Sequence, residues 1–67
     1  MTQTFLRIAN VCRVTGLARA SIYELMSRGK FPAQVRLSPR AVGWIESEIL
    51  EWQQARIKER DGAKEAA

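Results

Sequence analysis

Val14-Thr15-Gly16-Leu17-Ala18-Arg19-Ala20-Ser21-Ile22-Tyr23-Glu24-Leu25-Met26-Ser27-Arg28-Gly29 is the stretch on which the reading of this chain turns. Gly16 can take a positive φ, so it ends one helix and redirects the chain, and Leu17 is placed to anchor the turn in a core. Upstream, Ile8, Val11 and Cys12 fall at i, i+3 and i+4, which predicts a short first helix running to about Thr15. Leu6 and Ile8, alternating around Arg7, predict a short extended segment before it. Downstream, Ile22, Leu25 and Met26 share a face, which predicts a second helix from Arg19 to Arg28 with Gly29 at its stop. At about 100° per residue, the side opposite Ile22 carries Ala20, Glu24 and Ser27. Ser21, Tyr23 and Arg28 flank that side, and Arg19 sits at the exposed first turn.

Past Gly29 the period changes. Phe31-Pro32 breaks helical continuity, Val35 and Leu37 alternate around Arg36, and Val42 and Trp44 alternate around Gly43, which predicts a β-hairpin. Its tip is Ser38-Pro39-Arg40-Ala41, where proline pre-sets φ for a turn and the arginines at 36 and 40 leave the tip cationic. Ile45, Ile49 and Trp52 at i, i+4 and i+7 predict a third helix from Glu46 to about Lys58, with Glu46, Glu48 and Glu51 favouring its dipole. The last stretch, Glu59 to Ala67, has Asp61-Gly62 and no spaced apolar residues, and is expected to be a disordered tail to a single domain of residues 1–58. The expected fold class is mainly α with a small β-hairpin wing, a winged helix-turn-helix.

Composition narrows the function. Sixty-seven residues, 46% of them apolar, suit one small packed domain. With no histidine and one cysteine, Cys12, the chain cannot assemble the usual zinc ligand sets or close an internal disulfide, so no metal and no cofactor is expected. The carboxylates gather on one helix and no histidine can serve as base, which argues against an enzyme. No apolar run could span a bilayer, so the cytoplasm is the expected compartment and no membrane partner is expected. From Met1 to Ile45, Arg7, Arg13, Arg19, Arg28, Lys30, Arg36 and Arg40 stand against Glu24 alone, seven charges to one, a balance of +6. From Glu46 onward, four positive residues meet six negative ones, a balance of −2. The basic two thirds therefore point to a polyanion.

Val14-Thr15-Gly16-Leu17, Ser21-Ile22-Tyr23, Gly29-Lys30-Phe31-Pro32 and Arg40-Ala41-Val42-Gly43-Trp44 carry a resemblance over Leu6 to about Ile57: the chain closely resembles the AlpA family of prophage and mobile-element regulators. The resemblance implies a MerR-like winged helix related to phage excisionases, and a regulator of integrase or other mobile-element genes that binds double-stranded DNA. Carried onto this chain, it implies major-groove contacts from Arg19, Ala20, Ser21, Glu24 and Arg28. Phosphate contacts would come from the Tyr23 hydroxyl and Lys30, and wing contacts from Arg36, Ser38 and Arg40. Arg19 and Arg28 are the candidates for a bidentate contact to guanine. Two departures stand out. Members usually carry Ser or Thr where this chain has Ala18, so an N-cap hydrogen bond worth roughly 1 kcal/mol is expected to be missing. Where the chain has Gly43-Trp44 an Arg-Trp pair is common, so one phosphate contact from the second wing strand is expected to be absent.

The competing readings are specific. An excisionase binding near attachment sites could use the same domain as a transcription regulator, and a small adaptor or antitoxin could use the basic face to dock an acidic protein. Tyr23 could instead be a half-buried aromatic at the core edge. Trp44 and Trp52 fall in the core register and are expected inside the fold, Cys12 is expected to be an unreactive thiol on an apolar face, and Arg7 and Arg13 read as solvated charges. One copy covers little DNA, so self-association on repeated operator sites is expected, with RNA polymerase or integrase as further partners.

Overall fold

The sequence fixes its local punctuation at two glycines, and the computed structural model, which describes residues 4–66, shows both in the left-handed region: Gly16 at φ 74° and Gly29 at φ 69°. Between them and on either side run β1 (Phe5–Leu6), α1 (Ile8–Thr15), α2 (Arg19–Ser27), β2 (Val35–Ser38), β3 (Ala41–Ile45) and α3 (Glu46–Ala66). At the end of α1 the Gly16 N–H donates to the Cys12 carbonyl at 2.9 Å. The Thr15 hydroxyl donates to the Val11 carbonyl and accepts from the Leu17 N–H, so this one residue closes α1 and starts the turn. At the end of α2, Gly29 N–H donates to the Met26 carbonyl and Lys30 N–H to the Leu25 carbonyl, the paired closure that a glycine after the last turn permits.

Ala18 precedes α2 in extended geometry, with φ −74° and ψ 155°, and gives it no side-chain cap. That backbone suits a serine, whose hydroxyl could accept from a first-turn amide. Ala18→Ser is expected to raise stability by about 1 kcal/mol, read as a thermal midpoint higher by roughly 4–8 °C. An unchanged midpoint would mean that the α2 amides are already satisfied in another way.

Three strands make one antiparallel sheet in the order β1-β3-β2. Leu6 pairs with Trp44 and Phe5 with Ile45, so the segment before α1 closes the sheet on the far side of the wing hairpin. In the hairpin Val35 faces Gly43 and Arg36 faces Val42, and the register shifts between Arg36 and Ser38 as the chain enters the turn. Each layer contributes one side chain to the core: Val11 from α1, Ile22 from α2, Phe31 from the loop after it, Trp44 from β3 and Ile49 from α3. Leu6, Ile8, Cys12, Leu17, Leu25, Met26 and Trp52 pack around them. The α1 and α2 faces expected from spacing thus meet the core. Leu37 differs: the register shift beside it leaves it 39% exposed, lying over Gly43.

The two tryptophans fasten the loop between α2 and the wing. Trp44 Nε1 donates to the Pro32 carbonyl at 3.0 Å and Trp52 Nε1 to the Lys30 carbonyl at 2.9 Å, while the Phe31 and Trp52 rings meet edge to face at 4.9 Å. Trp44 is fully buried, as its register implied; Trp52 is half-buried, because one side of α3 stays open.

α3 is longer than its apolar spacing implied. It passes Lys58 and continues to Ala66 through the stretch expected as a disordered tail, and Ala67 and residues 1–3 lie outside the described residues. The extension has no apolar stripe. Helix-favouring Glu, Arg, Lys and Ala residues and the i, i+3 ion pair of Arg56 with Glu59 support the extra turns where packing does not.

Candidate nucleic-acid interface

The outward face of α2 is the one that helical phase required. Arg19, Ala20, Glu24, Ser27 and Arg28 are exposed, Ser21 is half-buried, and Ile22 on the opposite side is sealed in the core. With its side chains an α-helix such as α2 is about 10–12 Å across, close to the width of roughly 12 Å of the DNA major groove. Tyr23 sits at the boundary. Its ring meets Trp44 edge to face at a centroid separation of 6.4 Å, it remains 36% exposed, and the Arg19 guanidinium carbon lies 5.9 Å from its centroid. The ring thus covers the edge of the core, as the half-buried reading expects, and lies beside the Arg19 guanidinium.

At the other end of the face, Arg28 Nη2 donates to Glu24 Oε1 at 2.8 Å, and the Ser27 hydroxyl donates to the Glu24 carbonyl at 2.7 Å. Arg28 is the residue that terminates α2, so its side chain projects beside the turn rather than from the middle of the helix. Lys30 follows, exposed, with its own carbonyl held by Trp52.

The wing is pre-folded at its tip. Arg36 Nη1 donates to the Pro39 carbonyl at 3.2 Å, and the Arg40 N–H donates to the Ser38 hydroxyl at 3.3 Å. Arg36 thereby holds the turn, whereas the Arg40 side chain makes no polar contact among the described residues. Ser38 serves as an acceptor inside the turn. These two contacts depend on the turn geometry, and the spacing of the arginines gives no sign of them; the Glu24–Arg28 pair could have been found from its i, i+4 spacing.

Gly43 lies where a side chain on the second wing strand would be crowded. A Cβ there would lie 2.9 Å from a Leu37 methyl and 3.0 Å from the Leu6 carbonyl oxygen. The position is enclosed by β1 and Leu37.

The groups brought together are therefore Arg19 with Tyr23, Glu24 with Arg28, and Arg36, Ser38 and Arg40 around one turn, with Trp44 touching both Tyr23 and the loop that leads to the wing. Among the described residues no group of His, Cys, Asp or Glu could hold a metal ion, and no helix is long and apolar enough to cross a membrane. Residues 4–57 match the family model of the prophage CP4-57 regulatory protein (AlpA). The chain belongs to the AlpA family. A relative, the uncharacterized protein ORF88 of Enterobacteria phage P4, is 43% identical over 58 residues, which cover 87% of this chain and 66% of the phage protein. The chain thus spans just under two thirds of that relative's length. The DNA-binding transcriptional activator AlpA of Escherichia coli is 41% identical over 59 residues, covering 79% of this chain and 84% of the relative. The stretch matched to the AlpA model takes in both helices of the helix-turn-helix and the whole wing.

Proposed function

We propose that this chain is a sequence-specific double-stranded DNA-binding transcriptional regulator of a prophage or mobile element, acting on integrase or excision genes and carrying no catalytic chemistry of its own. The observation that carries the reading is the exposed, cation-bearing face of α2 followed by an arginine-tipped wing, in a family whose Escherichia coli member is named a DNA-binding transcriptional activator. In this reading residues 1–58 are the DNA-binding unit.

α2 lies in the major groove with its outward face along the bases, the usual placement of a recognition helix. Arg19 then meets a guanine edge, with Ala20 and Ser21 beside it on the same turn. Glu24 and Arg28 occupy the far end of the face. The Tyr23 hydroxyl and Lys30 meet phosphates. The wing lies against the adjoining backbone, where the unengaged Arg40 guanidinium neutralises phosphate charge while Arg36 and Ser38 keep the tip in shape. Phosphate contacts set register and base contacts set sequence, so specificity resides on α2. A module of this size buries roughly 600–1,000 Å² on DNA, which favours several copies on repeated sites for tight binding. Regulation follows from occupancy, by blocking polymerase or recruiting it.

The test is in vitro selection of bound duplexes with the full chain, followed by a reporter on the neighbouring integrase promoter carrying the selected site. Enrichment of one motif and a reporter response that vanishes when the motif is scrambled are expected. Excision stimulated in vitro with an unresponsive reporter would assign the chain to recombination instead, and failure to enrich any duplex would leave the basic face to a protein partner.

A further inference from the structure

Glu24 is out of place on a DNA-facing surface. It is the one carboxylate in the first 45 residues, set among seven cations, and it stands on the exposed face of α2 where phosphate repulsion would act on it. Yet it is ordered: Oε1 accepts from Arg28 Nη2 at 2.8 Å, and both side chains remain about three-fifths exposed, at 60% and 61%. The Ser27 hydroxyl bonds to the Glu24 main-chain carbonyl and so does not compete for the carboxylate. The pair therefore presents to the outside one fixed acceptor beside a planar set of donors.

We propose that Glu24 and Arg28 read a single G·C base pair as one unit, Arg28 on the guanine and Glu24 on the cytosine. The inference rests on the DNA-binding function proposed above and specifies part of the sequence it selects. In the major groove a G·C pair offers two acceptors, guanine N7 and O6, followed by the donor N4–H₂ of cytosine. The Glu24–Arg28 pair has the complementary order, two guanidinium donors and then a carboxylate acceptor. An A·T pair offers an acceptor, then a donor, then an acceptor and a methyl group, so the second guanidinium donor would face the N6–H₂ donor of adenine. A Glu24 carboxylate already neutralised by Arg28 also meets less repulsion from the phosphates than an isolated one. The ion pair thus fixes the arginine fork before binding and reports on the second base at the same time.

The experiment is in vitro selection from a random duplex library with the full chain, run in parallel with Glu24→Gln and Arg28→Ala, each checked for folding by circular dichroism. The wild-type motif is expected to contain a position fixed as G·C that both variants relax, by roughly tenfold in preference. Glu24→Gln should weaken the demand for cytosine there, since its amide can turn a donor instead of an acceptor towards the cytosine N4–H₂. All other positions should keep their preferences. Variants that retain the wild-type motif throughout, or that relax two different positions, would overturn the paired reading while leaving DNA binding intact. A folded wild-type chain that enriches no duplex would overturn both.

Discussion

Trp44→Ala is expected to remove a large part of the protein's folding stability. Trp44 is fully buried at the centre of the sheet, paired with Leu6 across to β1, edge to face with Tyr23 of α2, and bonded through Nε1 to the Pro32 carbonyl that leads to the wing. Removing a buried tryptophan side chain costs about 3–5 kcal/mol. At roughly 0.05–0.15 kcal/mol per residue, a domain of this size holds only about 3–10 kcal/mol in total. The loss is therefore of the same order as the stability itself. The expected readout is loss of the cooperative thermal transition in circular dichroism, or a midpoint lower by well over about 10 °C. Trp52→Ala should be milder, because that ring is only half-buried. A Trp44→Ala variant melting close to the wild type would place the core elsewhere.

Arg19→Ala is expected to be the most damaging substitution for sequence recognition. Arg19 stands at the first turn of α2, exposed, with its guanidinium near the Tyr23 ring, and no salt bridge among the described residues engages it. That leaves its donors free for a guanine edge, a bidentate contact worth about 1–3 kcal/mol of discrimination, or roughly 5- to 150-fold in affinity for the cognate site. Random DNA, which offers no matched base, should be bound nearly as well as before. Arg40→Ala is the contrast: a phosphate contact from the wing should weaken cognate and random duplexes alike and make binding less sensitive to salt. Equal losses on both DNAs for Arg19→Ala would contradict its base-reading role.

The elements that were legible in the sequence are those with local causes. Gly16 and Gly29 take the positive φ that the helix stops demanded, α2 begins at Arg19 as expected and ends within a residue of Arg28, and Pro39-Arg40 forms the hairpin turn. The pairing of Phe5 and Leu6 with β3 was not legible beyond an extended segment, because its partners Ile45 and Trp44 lie far along the chain. The length of α3 escaped for the opposite reason: beyond Lys58 it rests on helix propensity and one i, i+3 ion pair, which leave no apolar period to read. In the candidate interface, helical phase was enough to place Arg19, Ala20 and Glu24 outside. The division of labour in the wing was hidden, since only the folded turn puts the Pro39 carbonyl within reach of Arg36. Gly43 stood out in the sequence only as a departure from the resemblance; its enclosure was hidden, because it comes from Leu6 and Leu37 on two different strands.

The claim on which the rest stands is that α2 and the wing meet duplex DNA as a cationic surface. Affinity for a labelled duplex carrying the selected motif, measured between about 50 and about 200 mM salt, tests it most directly. Neutralising roughly five phosphates gives an expected slope of about −4 to −5 in log affinity against log salt. A folded protein with no salt-sensitive affinity for any duplex, fragments from its own genomic neighbourhood included, would contradict it.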